Sequence, residues 1–382
     1  MNAAAQSFDP EWEEKYANGH SQRYAWDVVV SFVFRNARQI DDRKSFRILD
    51  IGCGTGGNVA FAASEGFDVS GCDASASAIE TAQRVCSKAG LSADLRVADF
   101  TSLPFEDASF DLAIDRCSIT CCGYADARKA VAEAWRVLKP GGKFLFNVYS
   151  REHSSAHSGA ELGDGIRSRP ERGTLAGIGQ VCFYGVSDLR SVMRNDWVIR
   201  ERVHLVQLND ASSPADTHAE WRLVLQKPAV SVDIRKATLD DAGTIFEWRN
   251  NPKIIERGAV GNTVTWDEHL AWLTGRLAKY DSRVFIIEEQ GEPIGVLRFD
   301  GLPNACVSIY LDPDKVGSGR GVAALLSGCR LIWDDLSPDR IVADVLVAND
   351  NARRAFLKAG FIETGETDSG KARVVQFMLG RP

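Results

Sequence analysis

The run Asp50-Ile51-Gly52-Cys53-Gly54-Thr55-Gly56-Gly57 constrains this chain more than any other feature. It follows a β-rich stretch, Arg47–Ile51, and precedes a helical segment that begins at Asn58–Ala63. Glycines at alternating positions between a strand and a helix let the backbone turn sharply. They also let it approach a ligand more closely than Cβ atoms would allow. The helix start behind them offers N–H groups with no partner inside the helix. Such a loop belongs at the carboxyl edge of a parallel sheet, where open α/β folds hold ligands.

The surroundings agree. Strands are expected at Asp68–Cys72, Asp94–Ala98, Phe110–Asp115 and Lys143–Tyr149, with helices at Ala76–Lys88 and Ala127–Val137 between them. The dipeptides Lys139-Pro140 and Gly141-Gly142 read as a turn before the last strand. Alternating strands and helices predict an α/β, doubly wound, Rossmann-like unit. From Ser150 to Gly179 the sequence is rich in Gly, Ser and Arg and shows no period, which predicts a functional loop or mobile lid. Order returns with Gln180–Tyr184, the helix Ser187–Met193, and β-like runs at Val198–Gln207 and Ala219–Gln226. A chain of 382 residues suggests two domains at ~100–200 residues each. Lys227-Pro228 marks the boundary, giving units 1–228 and 229–382.

The second unit reads as mixed α+β. Strands are expected at Val232–Lys236, Val284–Glu289, Pro293–Asp300, Ala305–Asp312, Arg340–Val347 and Val374–Leu379. Helices are expected at Asp240–Asn250, Trp266–Lys279, Val322–Leu336 and Asn351–Ala359, the third opened by the glycine-rich loop Gly317–Gly321.

A formal net charge of −7 argues against a general nucleic-acid binder, because the basic footprint is missing. Met1 to Pro10 lacks the pattern of a secretory leader, and no apolar run is long enough to span a bilayer. The nine cysteines include no Cys-x-x-Cys pair, so reduced and mostly buried thiols, and no metal, are expected. The expectation is a cytoplasmic protein acting on a small-molecule acceptor, with no nucleic-acid or membrane partner and with homo-oligomerisation left open.

Two further acids support the first loop. Asp73 ends the second strand, where an acid can bind ribose hydroxyls, and Asp99 ends the third. The spacing D-x-G-x-G-x-G, with the acid before the glycines, differs from the G-x-G-x-x-G of nicotinamide dehydrogenases. Over residues 45–150 the chain resembles the class I S-adenosylmethionine-dependent methyltransferases. That resemblance implies that Asp50, Gly52, Cys53, Gly54 and Gly56 face the methionine part of S-adenosylmethionine. It implies Asp73 at the ribose, Asp99 and Phe100 at the adenine, and Ala74, Asp115 and Arg116 beside the cofactor. Trp12, Tyr16 and His20 resemble an N-terminal cap in which Tyr16 closes over the methionine moiety; simple packing of an amphipathic helix is the alternative. Methyl transfer from a sulfonium needs alignment more than a strong base. His153 and His157 are candidate bases for the acceptor or else exposed loop histidines, while Tyr184 and Arg169 are candidates for the acceptor pocket.

The loop Gly317-Ser318-Gly319-Arg320-Gly321-Val322-Ala323, before an apolar helix, can cradle a pyrophosphate with consecutive N–H groups. With Asn349-Asp350-Asn351-Ala352, Phe356 and Lys358-Ala359-Gly360-Phe361, it resembles the GNAT N-acetyltransferases over residues 231–382. The resemblance implies that Gly319, Arg320, Gly321, Val322 and Ala323 bind the pyrophosphate of acetyl-CoA. Asn349 and Phe356 would face the pantetheine arm, and Ile309 to Leu311 would orient the thioester. A tyrosine commonly supplied as general acid is Phe356 here, so either Tyr310 or water substitutes, or the domain is slow or silent. Glu288 and Asp300 are candidate bases, or else ordinary strand-end carboxylates. Trp248-Arg249-Asn250, Glu268-His269 and Ile294-Gly295-Val296 further resemble acetyltransferases of nucleotide-linked amino sugars. Trp248, Arg249 and His269 are then substrate contacts. The alternatives are a core tryptophan, an arginine paired to a carboxylate and a surface histidine.

These readings lead to a bifunctional transferase that methylates and acetylates a small acceptor such as an amino sugar. The alternatives are a methyltransferase with a silent GNAT-like module and a protein-modifying enzyme.

Overall fold

The computed structural model describes residues 7–37, 39–193, 197–211, 214–257, 262–368 and 372–381. Met1–Gln6, part of the stretch read above for a leader, lies outside the described residues. The chain divides into two compact units, Met1–Arg194 with Arg200–Lys227, and Asn195–Ile199 with Pro228–Pro382.

The first unit runs α1 (Pro10–Ala17), α2 (Asp27–Ala37), β1 (Arg47–Ile51), α3 (Gly57–Ser64), β2 (Asp68–Asp73), α4 (Ala76–Lys88) and β3 (Asp94–Val97). It continues with β4 (Phe110–Arg116), α5 (Tyr124–Val137), β5 (Leu138–Tyr149), β6 (Ala160–Gly163), β7 (Ile166–Ser168), β8 (Gln180–Cys182), α6 (Val186–Met193), β9 (Val198–Asn209) and β10 (Asp216–Gln226). The main sheet has the order β3-β2-β1-β4-β5-β10-β9. Its first five strands pair in parallel, and β10 returns antiparallel to β5. The doubly wound expectation is met, with an antiparallel extension at one edge. Strand order reverses between β1 and β4, which opens a crevice at their carboxyl ends.

The apolar spacing explains the layers. Ala78, Ile79, Ala82 and Cys86 recur on one face of α4, and Val29, Phe32 and Val33 on α2. With Val59 and Ala62 of α3 they pack against Ile48, Leu112 and Leu145 of the sheet. Each Val, Leu, Ile or Phe among them contributes roughly 1.5–3 kcal/mol on full burial. Ser75 caps α4 by accepting from the Ala78 N–H at 3.0 Å.

Two expectations need correction here. Residues 139–142 do not form a turn ahead of a separate strand: Phe110 pairs with Leu138 and Leu112 with Lys143, so they bulge within the single strand β5. Residues 150–179, which show no period in the sequence, carry regular structure. They hold a 3-10 turn, Ser154–His157, and the hairpin β6–β7, which pairs with β8 in a small sheet. Ala156, Leu175, Val181 and Phe183 form a core of their own against Tyr149 and Ile178.

The second unit runs β11 (Asp233–Lys236), α7 (Ala242–Arg249), α8 (Pro252–Arg257), α9 (Trp266–Ala278), β12 (Ser282–Glu289), β13 (Glu292–Asp300) and β14 (Asn304–Leu311). It ends with α10 (Arg320–Leu336), β15 (Arg340–Leu346), α11 (Asp350–Lys358), β16 (Ile362–Asp368) and β17 (Arg373–Gly380). The sheet order is β11-β12-β13-β14-β15-β17-β16. Its pairs are antiparallel except β14–β15, which are parallel and joined only through Asn304–Cys306 and Arg340–Val342. Beyond those residues no pairing joins the two strands, and their later halves line the cavities described below. The mixed α+β expectation is met. Neither α8 nor β16 was expected: α8 is a single short turn pair, and β16 is exposed along nearly its whole length, so neither shows an apolar period. Among the described residues, no helix is long and apolar enough to cross a membrane, and no group of three metal-ligating side chains is present. All nine cysteines are free, seven of them buried.

Candidate functional site

The first cavity sits on the loop between β1 and α3. Gly52, Gly54 and Gly56 hold left-handed φ values of 67, 52 and 82°. A Cβ on Gly52 would collide with the Ser118 side chain, one on Gly54 would come 2.9 Å from the Tyr16 hydroxyl, and one on Gly56 2.8 Å from Ala82 Cβ. The loop is therefore built for glycine and pressed against its neighbours. Asp73 at the end of β2 accepts from the Gly54 N–H and from the Ser75 N–H, each at 2.9 Å, and faces the cavity. Burial raises the pKa of its carboxyl, opposed by those two bonds.

Helix α1 covers the cavity with one aromatic face. Trp12, Tyr16 and His20 have ring centroids 5.6–5.8 Å apart, and all three line it. Of the two readings left open, the cap over the cavity is the one that matches this placement. Four hydrogen bonds hold the N-terminal segment down. Glu13 accepts from the Ser75 and Ser77 hydroxyls at 2.5 Å each, Asp9 from the Gln180 N–H at 2.7 Å, and Asp99 from the Ser7 hydroxyl at 2.5 Å.

The cavity brings together Tyr16, Gly52, Cys53, Gly54, Asp73, Ala74, Phe100 and Arg116 from the expected set. It leaves out four others. Asp50 and Asp115 lie beneath the loop rather than in its mouth; burial pushes their carboxyls up to about 8 and about 7. Asp99 spends its oxygens on Ser7 and Thr101, while its neighbours Ala98 and Phe100 line the wall. Gly56 packs on α4 instead.

The candidate bases of this half do not reach the cavity. His153 is fully buried behind Tyr149, with Nε2 3.0 Å from Thr174 Oγ1 and 3.3 Å from His218 Nδ1. Burial and His218 push its pKa down to about 4. His157 is exposed at the end of the 3-10 turn and does not line the cavity. Tyr184 is fully buried between Tyr124 and Phe146, and Arg169 is exposed beside Glu11 at 3.4 Å, so neither lines the cavity. Sequence reasoning missed Tyr149 and Trp26, which do. Tyr149 ends β5, so the strand-end rule that selected Asp73 would have found it.

The second unit has two adjoining cavities of about 480 and 540 Å³, sharing Tyr310, Asn349 and Phe356 among their walls. Three successive residues, Gly317, Ser318 and Gly319, hold left-handed φ values of 106, 54 and 87°, and α10 follows at once. A Cβ on Gly317 would meet nothing within 4 Å, and one on Gly321 only Leu311 at 3.7 Å. This cradle opens directly on the cavity. Gly319, Gly321, Val322, Ile309, Leu311, Asn349 and Phe356 line it as expected. The Arg320 side chain does not; it pairs with Glu289 at 2.9 Å, leaving its backbone alone near the loop. Ala323 is buried in the core under α10. Asn349 caps α11, accepting from the Ala352 N–H at 3.1 Å.

The adjoining cavity is lined by Arg249, His269, Trp272, Arg298 and Tyr310. No ion pair engages Arg249 among the described residues. His269 is buried, not a surface residue, and its Nε2 donates to the Ala242 carbonyl at 3.0 Å. Burial raises the pKa of the Tyr310 hydroxyl, opposed by Arg298 and Arg249. Trp248 belongs to the core with Ile245, Leu273 and Val284 and lines neither cavity, so the core alternative holds for it. Glu288 is paired with Arg235 at 2.6 Å, and Asp300 with Arg276 and Arg298 at 2.7 Å each. Both line neither cavity and are strand-end carboxylates held in ion pairs.

Comparison with known proteins follows the same division. Residues 48–142 match the family model for a methyltransferase domain, and residues 232–362 that for an acetyltransferase (GNAT) domain. The chain is 35% identical over 174 residues to 24-methylenesterol C-methyltransferase 2 of Oryza sativa subsp. japonica, covering 41% of this chain and 46% of that protein. It is 39% identical over 103 residues to sarcosine/dimethylglycine N-methyltransferase of Aphanothece halophytica, covering 26% of this chain and 36% of that protein. The chain thus spans less than half the length of these curated relatives. A solved aminoglycoside acetyltransferase in complex with coenzyme A and kanamycin is 24% identical, with a TM-score of 0.36, covering 40% of this chain and 95% of that one. A methyltransferase domain implies S-adenosylmethionine, and a GNAT domain acetyl-CoA. The crowded glycine cradle facing Asp73 and the open cradle before α10 fit these two groups in turn. The chain carries a methyltransferase domain in its N-terminal half and a GNAT acetyltransferase domain in its C-terminal half.

Proposed function

We propose that this chain is a bifunctional small-molecule transferase that methylates and N-acetylates an amino sugar or a similar amine-bearing metabolite. Bound in their cradles, S-adenosylmethionine supplies an electrophilic methyl group and acetyl-CoA an activated acetyl thioester. The observation that carries the reading is that each cradle opens on a cavity with polar side chains facing inward beyond the glycine loop.

In the first half, Asp73 holds ribose hydroxyls and Phe100 flanks the adenine. Tyr16 and Trp12 line the roof above the glycine loop, where their rings favour the cationic end of the cofactor. The same aromatic roof fixes alignment, which is most of what methyl transfer requires. In the second half, the amides of Gly319, Gly321 and Val322 receive pyrophosphate. Tyr310 lines both cavities and its phenol is protonated at neutral pH, so it can donate where Phe356 cannot. Arg249, His269 and Trp272 are suited to hold a polar acceptor beside it.

The test is a paired assay with a panel of free and nucleotide-linked amino sugars, following S-adenosylhomocysteine and CoA release. Release of both products with one amino-sugar class supports the proposal; turnover of neither with any amino sugar removes it. A second reading, a methyltransferase with a catalytically silent GNAT-like module, is favoured by Phe356. That ring is packed 5.0 Å from Phe361 and 5.5 Å from Phe377 and carries no hydroxyl. Tight CoA binding without CoA release would select it.

A further inference from the structure

The ends of β4, β5 and β10 bring Arg116, Tyr149 and Glu220 together, with Glu220 opposite Tyr149 in the β5–β10 register. They lie across the strand-order reversal from Asp73. The Arg116 side chain is only 10% exposed, yet it lines the cavity with its guanidinium 4.3 Å from the centroid of the Trp26 ring. Its Nε has no hydrogen-bond partner among the described residues.

The groups facing it leave it under-compensated. Arg222 takes Glu220 Oε1 at 2.5 Å, whereas Arg116 stands 3.4 Å from Oε2, longer than a charge-assisted bond. Asp115 directs Oδ1 to the amides of Ser118 and Ile119. Arg116 Nη1 donates to the Cys117 sulfur and Tyr149 flanks the guanidinium, but burial raises both pKa values and keeps these partners neutral. A buried, planar donor with open valence, fixed by an aromatic ring, is matched by a planar or tetrahedral oxyanion. A neutral oxygen could accept from Nε but would leave the positive charge poorly matched, whereas an oxyanion forms the stronger charge-assisted bond.

Building on the methyltransferase reading, we propose that Arg116 receives an oxyanion of the methyl acceptor, so that the acceptor is a small anionic molecule bearing a carboxylate or phosphate. The same chemistry is carried by the methionyl carboxylate of the cofactor, and the experiment separates the two sources.

Affinities of S-adenosylhomocysteine and of 5′-methylthioadenosine, which lacks that carboxylate, are measured for the full chain as wild type, R116Q and R116K. CoA affinity serves as the folding control. In protein saturated with S-adenosylhomocysteine, glucuronate is compared with glucose, and glucosamine 6-phosphate with glucosamine. The expected result is S-adenosylhomocysteine affinity within about threefold in R116Q, and an advantage of about tenfold or more for at least one anionic probe over its neutral counterpart. That advantage disappears in R116Q and partly returns in R116K. Loss of S-adenosylhomocysteine affinity with 5′-methylthioadenosine unchanged assigns Arg116 to the cofactor and overturns the proposal. Equal binding of charged and neutral probes, or no binding by either anion, overturns it too. Failure of wild type to bind S-adenosylhomocysteine at all would instead remove the methyltransferase reading.

Discussion

The two glycine cradles use the same residue for opposite reasons. In the first, Gly52, Gly54 and Gly56 are crowded, and an added methyl would strike Ser118, Tyr16 or Ala82. In the second, Gly317 and Gly321 face nearly open space. The first loop is roofed by α1, which Glu13 latches; the second is one wall of a cleft shared with a neighbouring cavity. A compact ligand held at one reactive carbon needs enclosure and alignment. A long ligand that lies across the surface needs a backbone it can rest on. The number of glycines does not separate these cases, but what surrounds each one does.

The sharpest way to break the comparison is a pair of alanines. Gly52→Ala combines a clash with a left-handed φ, each worth about 1–3 kcal/mol, so S-adenosylhomocysteine affinity should fall about 100-fold. Gly321→Ala should leave CoA affinity within about threefold, since the methyl meets only Leu311. Equal losses in a calorimetric titration would erase the distinction. Gly321→Glu puts bulk and negative charge into the open cradle and should cost CoA about 50-fold in affinity while S-adenosylhomocysteine binding is kept. Unchanged CoA affinity would displace the pyrophosphate from this loop.

Asp73→Ala removes a hydroxyl acceptor and frees the Gly54 and Ser75 amides. At about 2 kcal/mol for a charge-assisted pair, S-adenosylhomocysteine affinity should drop about 30-fold with CoA affinity untouched. A loss of both would mean that the two sites share a fold defect. Glu13→Gln should loosen the roof: stopped-flow dissociation of S-adenosylhomocysteine should speed up about fivefold, and CoA dissociation should not change. An unchanged rate would make α1 a fixed wall.

The smallest effect is one of pH and concerns the first unit alone. His153 is held down to about 4 against an ordinary value near 6.5. Folded protein therefore resists the proton that unfolded chain accepts, and stability falls as pH drops from about 6.5 to about 4. Thermal melts of His153→Gln should show a flatter profile across that window, and an identical slope would remove His153 as its source.

Much of the first site was legible because strand ends and glycine spacing obey fixed periods. Asp73 and Arg116 are the last residues of β2 and β4 and line the cavity, as the strand-end rule says. Asp50 and Asp115 stand one residue earlier on their strands, and alternation turns them inward under the loop. One position of register thus separates a ligand contact from a buried acid, and motif reading does not resolve it. The folded platform over residues 150–179 was hidden because its strands are three and four residues long and its turns consume the glycines. Glu288 looked available because its partner Arg235 comes from a distant part of the chain; Asp300 likewise meets the distant Arg276, although Arg298 stands two residues away on its own strand. Phe356 is the converse case: the missing hydroxyl was plain in the sequence, and its place between the two cavities gives that absence weight.

The central claim is that one chain holds two separate donor sites. Titrating S-adenosylhomocysteine into the full chain, first alone and then saturated with CoA, tests it most directly. One equivalent should bind in both titrations, and CoA should bind one equivalent in the reverse order. Displacement of either ligand by the other, or failure of either to bind, would contradict the account.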